Sequence, residues 1–151
     1  MEKAALKEHR RHSTADKPFS YYISNIPEYF PNAPMHWHKE FELNVILEGE
    51  GDFVTGDIHF TAYKGDIVLT PPDMLHAVYQ HDDKRCVYDT LDLDGSMLGS
   101  RDNDRAADAF IAPLISGAYS IETHITPEHC YYSELLTTAE NMISAAKGDT
   151  P

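Results

Sequence analysis

The stretch "HWHKEFELNVILEGEG", residues 36–51, decides the fold. His36, His38 and Glu42 share parity, so on an extended strand all three side chains point to one face. Phe41, Leu43, Val45 and Leu47 point to the other. A solvent-facing polar side would carry lysine and serine rather than paired histidines. In a small barrel the polar face instead lines an internal pocket, and the apolar exterior is covered by helices or by a second chain.

Working outward, "DFVTGDIHF" (residues 52–60) reads as a hairpin around Gly56-Asp57, with glycine placed for a type II′ turn. "YKGDIVLTPPD" sets a short strand, Ile67 to Thr70, between a glycine turn and a double-proline turn. "HAVYQ" and "RCVYDTLDLD" supply two more strands. Upstream, Pro27, Pro31 and Pro34 among aromatics suggest extended edge segments and loops. Short strands with tight turns and no helix between them predict an antiparallel sandwich or barrel.

After Asp94 the texture changes. Turn residues lead into an expected helix near 104–115, capped by Asp102 or Asn103. "SIETHI" offers one last strand. "TPEHCYYSELLTTAENMISAAKG" predicts a longer helix over 127–148, with Thr126 as cap, Pro127 at its first position and Gly148 at its end. Leu135, Ala139, Met142 and Ala146 form a stripe on it that serves equally as a partner seam or as packing against the barrel.

The 151 residues suffice for one domain with a proper core. Twenty-five acidic residues against twelve basic ones give a net charge of −13, which repels a nucleic-acid backbone. The basic cluster "KEHRRH", Lys7 to His12, lies in a segment of about residues 1–17 that reads as a flexible, solvated arm. No apolar run is long enough to span a membrane, and the N-terminus has no signal-peptide core. Two cysteines without a framework agree with a reducing compartment, so a cytoplasmic location is expected.

The chemistry concentrates in two blocks. "HWHKEFE" gives His36, His38 and Glu42, and "GDIVLTPPDMLH" gives Gly65, Pro71 and, five places on, His76. Three histidines and a carboxylate make a suitable set for a divalent metal (Zn, Ni, Fe or Mn), with positions left open. Tyr88 and Thr90, of one parity on the late strand, are candidates to face the same cavity. Trp37, between the histidines, should face away and pack. His9, His12, His81, His124 and His129 are scattered and read as surface residues. "DLDGSMLG" starts like a calcium loop but lacks the closing glutamate, and reads as a turn.

These two blocks resemble the motifs of the cupin superfamily, with His36, His38, Glu42 and Gly49 in the first and Gly65, Pro71 and His76 in the second. Asp73 stands where the second motif usually has glycine, so that turn is expected to be built differently, and Gln80 replaces a frequent asparagine. The resemblance implies a mainly β cupin barrel of the double-stranded β-helix, jelly-roll type, over 18–126, with two C-terminal helices. Barrel, short helix, strand and longer helix in that order look like the N-terminal effector-binding and dimerisation domain of AraC-family transcription regulators. That likeness implies a sugar-like or other small organic effector in the pocket and a homodimer formed through the long helix. DNA would be bound only through a C-terminal helix-turn-helix pair outside this chain. The alternative is a stand-alone metal-dependent cupin enzyme of dioxygenase or isomerase type, against which no general base is evidently placed, His59 and Glu40 being the candidates.

Overall fold

The computed structural model describes residues 2–98, 105 and 107–148. Eight strands run in chain order: β1 (Phe19–Ile26), β2 (Asn32–His36), β3 (Phe41–Thr55), β4 (Ile58–Tyr63), β5 (Ile67–Thr70), β6 (His76–Gln80), β7 (Cys86–Leu93) and β8 (His124–Ile125). Every strand pair is antiparallel. One layer has the order β1-β7-β3-β5-β8, and the other joins β4, β3, β6 and β2.

Strand β3 belongs to both layers. Its first half pairs with β7 and β5, its second half with β4 and β6. The register slips between Ile46 and Glu48, a bulge that bends the strand from one layer into the other. Gly49 makes this possible: φ is +71, and a Cβ there would lie 1.7 Å from the Arg85 carbonyl oxygen. The hairpin after it is the expected one. Gly56 takes φ +59 while Asp57 keeps a negative φ, the type II′ arrangement. Pro34 lies in β2 at the register break between Ala33 and His36, on a strand that pairs only with β6, a position that tolerates proline.

Two apolar clusters sort by parity. Ile46, Phe53, Val68, Val78, Cys86 and Tyr88 meet between the layers. Phe41, Leu43, Val45, Ile67, Leu91 and Leu93 point outward from the first layer and are covered by a helix. The apolar exterior of β3 is thus buried under the chain's own helix, and its even-numbered face looks inward.

That helix, α2 (Tyr132–Gly148), starts five residues later than the sequence suggested. Thr126 is not its cap. The His129 N–H closes a turn onto the Thr126 carbonyl at 3.1 Å, and the Tyr132 N–H donates to the His129 carbonyl at 3.0 Å. These three-residue turns use the backbone groups that a helical ladder would need, and Tyr132 Oη then donates to the Gly65 carbonyl at 2.6 Å. The stripe on α2 faces the barrel. Ala139 and Ala146 are buried with Ile143 against the first layer, and Leu135 and Met142 pack on its margin. Ala139 and Ala146 therefore belong to the intrachain core and are not free to form a partner seam.

The shorter helix also differs. Its expected caps, Asp102 and Asn103, lie outside the described residues. From Ala107 the chain makes a π-helical turn, Ala107–Ile111, and then one α turn, α1 (Ala112–Ile115). Pro113 has no N–H to give to residue 109, which favours this widened turn over a regular helix. Only His124–Ile125 of "SIETHI" pairs, with Val68 and Ile67. Among the described residues no helix is long and apolar enough to cross a membrane.

Candidate functional site: a histidine and carboxylate cluster at the pocket floor

His36, His38 and Glu42 reach one place by a route the strand parity did not foresee. Strand β2 ends at His36 and β3 begins at Phe41, with a bend between them. The His38 carbonyl there accepts the Asp73 N–H at 2.8 Å. His36 is the direct cross-strand neighbour of His76, and the two rings are 4.1 Å apart. Asp73 takes φ +61, so the aspartate adopts the left-handed conformation that glycine takes most readily.

The donor atoms of His36, His38, Glu42 and His76 all lie within 4.8 Å of one another. Glu42 Oε2 is 3.3 Å from both His38 Nε2 and His76 Nε2. Ligands held about 2.0–2.2 Å from one cation are themselves about 3.0–3.5 Å apart when adjacent, so these spacings fit. The imidazoles are set for the task. His36 Nδ1 donates to the Pro34 carbonyl at 2.7 Å and His76 Nδ1 to the Met74 carbonyl at 2.8 Å, which leaves both Nε2 lone pairs facing the cluster. His76 Nε2 is buried and has no aligned hydrogen bond despite its closeness to Glu42.

Glu42 is oriented from behind. The Thr90 hydroxyl donates to Asn44 Oδ1 at 2.6 Å, and the Asn44 amide donates to Glu42 Oε1 at 2.6 Å. Oε2 is thereby turned toward the histidines. Burial opposes the charge on Glu42, but His76 and His38 outweigh it and hold its carboxyl well below the usual range. Burial, reinforced by the charge of His76, lowers His36 and favours its neutral, ligating form. Burial also works against the charge on His76, but Glu42 raises it.

The cluster opens into a cavity of about 590 Å³ whose walls include Tyr22, Phe30, Val78, Tyr88, Thr90 and Asp92. Tyr88 and Thr90 thus share the space of His36, Glu42 and His76. Thr90 contributes through Asn44, a link not read from the sequence. His59 is exposed on β4, outside this cavity. Glu40 is buried, accepts the Ser13 hydroxyl at 2.6 Å and lies 3.5 Å from His38 Nδ1.

The largest departure concerns the N-terminal arm, which is docked rather than solvated. Residue Lys7 bridges Trp37 in parallel: Glu8 N–H donates to the Trp37 carbonyl at 2.9 Å, and Trp37 N–H to the Leu6 carbonyl at 3.1 Å. Trp37 faces away from the histidines, gives its indole N–H to the Lys3 carbonyl at 2.7 Å, and carries the Lys3 and Lys7 ammoniums over its ring. His12, read as a surface residue, is 5% exposed. Its ring nitrogens contact Glu8 Oε2 and Asp92 Oδ2, each at 2.8 Å. Burial works against its charge, but those two carboxylates push its pKa up to about 11. Asp92 itself is raised, by burial first and by the charge of Glu42. The sequence signals for Asn44 and Asp92 were available: they share parity with Glu42 and with Tyr88 and Thr90.

A barrel of antiparallel strands with polar donors inside and an apolar exterior under a C-terminal helix is a cupin barrel. The family model for the AraC-like ligand binding domain matches residues 21–105, and the chain belongs to that family. The uncharacterized HTH-type transcriptional regulator YdeC of Bacillus subtilis (strain 168) is 27% identical over 89 residues, 58% of this chain and 31% of that protein. The match spans less than a third of that regulator's length. Solved structures similar to this chain include a cupin protein from Bacteroides fragilis, with 19% identity, a TM-score of 0.48, and coverage of 60% of this chain and 75% of that one. Another is a predicted oxalate decarboxylase from Thermotoga maritima, with 20% identity, a TM-score of 0.46, and coverage of 62% and 74%.

Proposed function

We propose that this barrel is the effector-sensing part of a longer transcription regulator, and that it binds a small organic molecule in the cavity above His36, Glu42 and His76. Membership of a ligand-binding family supports the sensing role, and likeness to a helix-turn-helix regulator supports the larger context. The observation that carries the reading is the cavity itself. About 590 Å³ holds a small metabolite, and its walls combine aromatic and aliphatic side chains with a few convergent polar groups. A divalent cation held by His36, His38, Glu42 and His76 would form part of the floor and offer open positions to ligand oxygens. DNA contacts would come from a further domain, in keeping with the net charge of −13 on this one.

A metal-dependent cupin enzyme is the second reading, and one observation favours it: three histidines and a carboxylate cluster together, and His36, Glu42 and His76 of that set line an accessible cavity. One experiment separates the two. The protein, loaded with Zn(II) or Fe(II), is screened against a metabolite library by thermal shift, and each stabilising compound is recovered and weighed by mass spectrometry. Sensing predicts stabilisation with the compound returned unchanged; a ligand at a hundred times its Kd adds about 2.7 kcal/mol. A compound that is bound and transformed overturns the sensor reading in favour of the enzyme.

A further inference from the structure

The three histidines of the cluster are not held alike. His36 and His76 each give Nδ1–H to a backbone carbonyl, Pro34 at 2.7 Å and Met74 at 2.8 Å, and so turn Nε2 toward the cluster. His38 also points Nε2 inward, 3.3 Å from Glu42 Oε2, but no backbone carbonyl meets its Nδ1. That atom is buried without an aligned hydrogen bond, and Glu40 Oε2 faces it at 3.5 Å. We propose that Glu40 is a positioning residue for His38: its carboxylate takes the Nδ1–H and holds Nε2 ready for the cation shared with His36, Glu42 and His76. The inference rests on the metal reading of those four residues and adds a carboxylate partner behind one of them.

Burial and orientation support the pairing. His38 is 4% exposed and Glu40 9%, so little water reaches the space between them. Glu40 Oε1 already accepts the Ser13 hydroxyl at 2.6 Å, which leaves Oε2 directed at the ring. The chain bends at residues 39–40, and His38 is anchored beside that bend by its carbonyl, which accepts the Asp73 N–H at 2.8 Å. The carboxylate two residues on thus comes back beside the imidazole instead of extending away along a strand. Glu40 does not line the cavity, so it is placed to serve His38 and not a molecule in the pocket. The chemistry calls for such a partner. An imidazole that gives its Nε2 lone pair to a cation must carry its proton on Nδ1, and a buried Nδ1–H needs an acceptor. The gap of 3.5 Å closes with a small rotation at the end of the Glu40 side chain, where the torsion is soft. An anionic acceptor raises the basicity of the ligand more than a carbonyl does, which makes His38 the strongest donor of the three imidazoles.

The test compares wild type, Glu40→Gln and Glu40→Ala, each stripped of metal and titrated with Co(II). Glu40→Ala is expected to bind Co(II) about 10- to 100-fold more weakly than wild type. Glu40→Gln should fall between them. Its amide oxygen can accept from His38 Nδ1 while its NH2 turns to the Ser13 hydroxyl, which has Asp94 Oδ2 within 3.2 Å as its own acceptor. The glutamine keeps the shape of the side chain, so the comparison with wild type survives if the alanine variant fails to fold. The second measurement is NMR of ¹⁵N-histidine-labelled protein loaded with Zn(II), because a merely packing role for Glu40 would not move a ring proton. His38 is expected to carry its proton on Nδ1, with that resonance downfield in wild type and shifted upfield in Glu40→Gln. A His38 proton on Nε2 would overturn the inference, as would an Nδ1–H resonance and a Co(II) affinity that both ignore Glu40→Gln. Either result leaves the four-residue site standing. If wild type binds no Co(II), the metal reading and this inference fall together.

Discussion

Asp73 shows what a single position can conceal. Its φ of +61 lies where a side chain costs about 1–2 kcal/mol relative to glycine, and aspartate is among the few residues that tolerate it. Asp73→Val should destabilise the protein by about 1–2 kcal/mol in urea unfolding, because a β-branched side chain cannot relax there. Asp73→Gly trades the strain for a looser unfolded chain and should stay within about 1 kcal/mol of wild type. An indifferent valine would show that the turn is not held in the left-handed region. Asn44 carries a different kind of constraint, since it is 1% exposed and couples Thr90 to Glu42. Asn44→Leu removes the donor that turns Glu42 Oε2 toward the histidines. A cation titration should then show affinity lowered about 10- to 100-fold, the range for loss of an outer partner of a metal ligand. Unchanged affinity would mean that Glu42 finds its orientation without help.

At the scale of elements, the strands were legible and the helix boundaries were not. Ile67–Thr70 and His76–Gln80 fall where the sequence put them, because Gly65 and Pro71 bracket the first run, and the double-proline turn precedes the second with a polar Asp82-Asp83 turn after it. Thr126-Pro127 carried the signals of a helix start, yet His129 diverts the backbone into turns, a side-chain effect that no pattern of apolar residues records. The stripe on α2 was visible, but spacing alone does not say whether barrel or partner covers it. Burial of Ala139, Ile143 and Ala146 decides for the barrel. Ile143→Ala should therefore cost about 2–5 kcal/mol by opening a hole under the first layer. The loss should be the same at micromolar and at hundredfold higher protein concentration. A loss that shrinks as concentration rises would instead place Ile143 in a subunit interface, whose contribution follows mass action.

For the whole molecule, the floor of the site was legible from residue type and spacing, whereas its roof was not. His36, His38, Glu42 and His76 announce themselves as donors in a strand-rich sequence. Glu8 and His12 sit in an arm whose composition predicts a solvated terminus, and they reach the site through contacts with Trp37 and Asp92 that are distant in sequence. A chain this acidic concentrates carboxylates around a pocket already holding Glu42 and Asp92, and the docked His12 supplies a compensating positive charge. An added divalent cation would extend that compensation to the floor, so its effect should appear in global stability. With free Zn(II) at a hundred times its Kd, the native state should gain about 2.7 kcal/mol. For a chain of 151 residues that corresponds to a rise in Tm of about 5–10 °C, reversed by a chelator. The His76→Ala variant should melt at one temperature with or without Zn(II), because it lacks one of the two histidines 3.3 Å from Glu42 Oε2. A wild-type Tm that ignores both Zn(II) and chelator would leave the cluster as a buried hydrogen-bonding group and assign the pocket to an organic ligand alone.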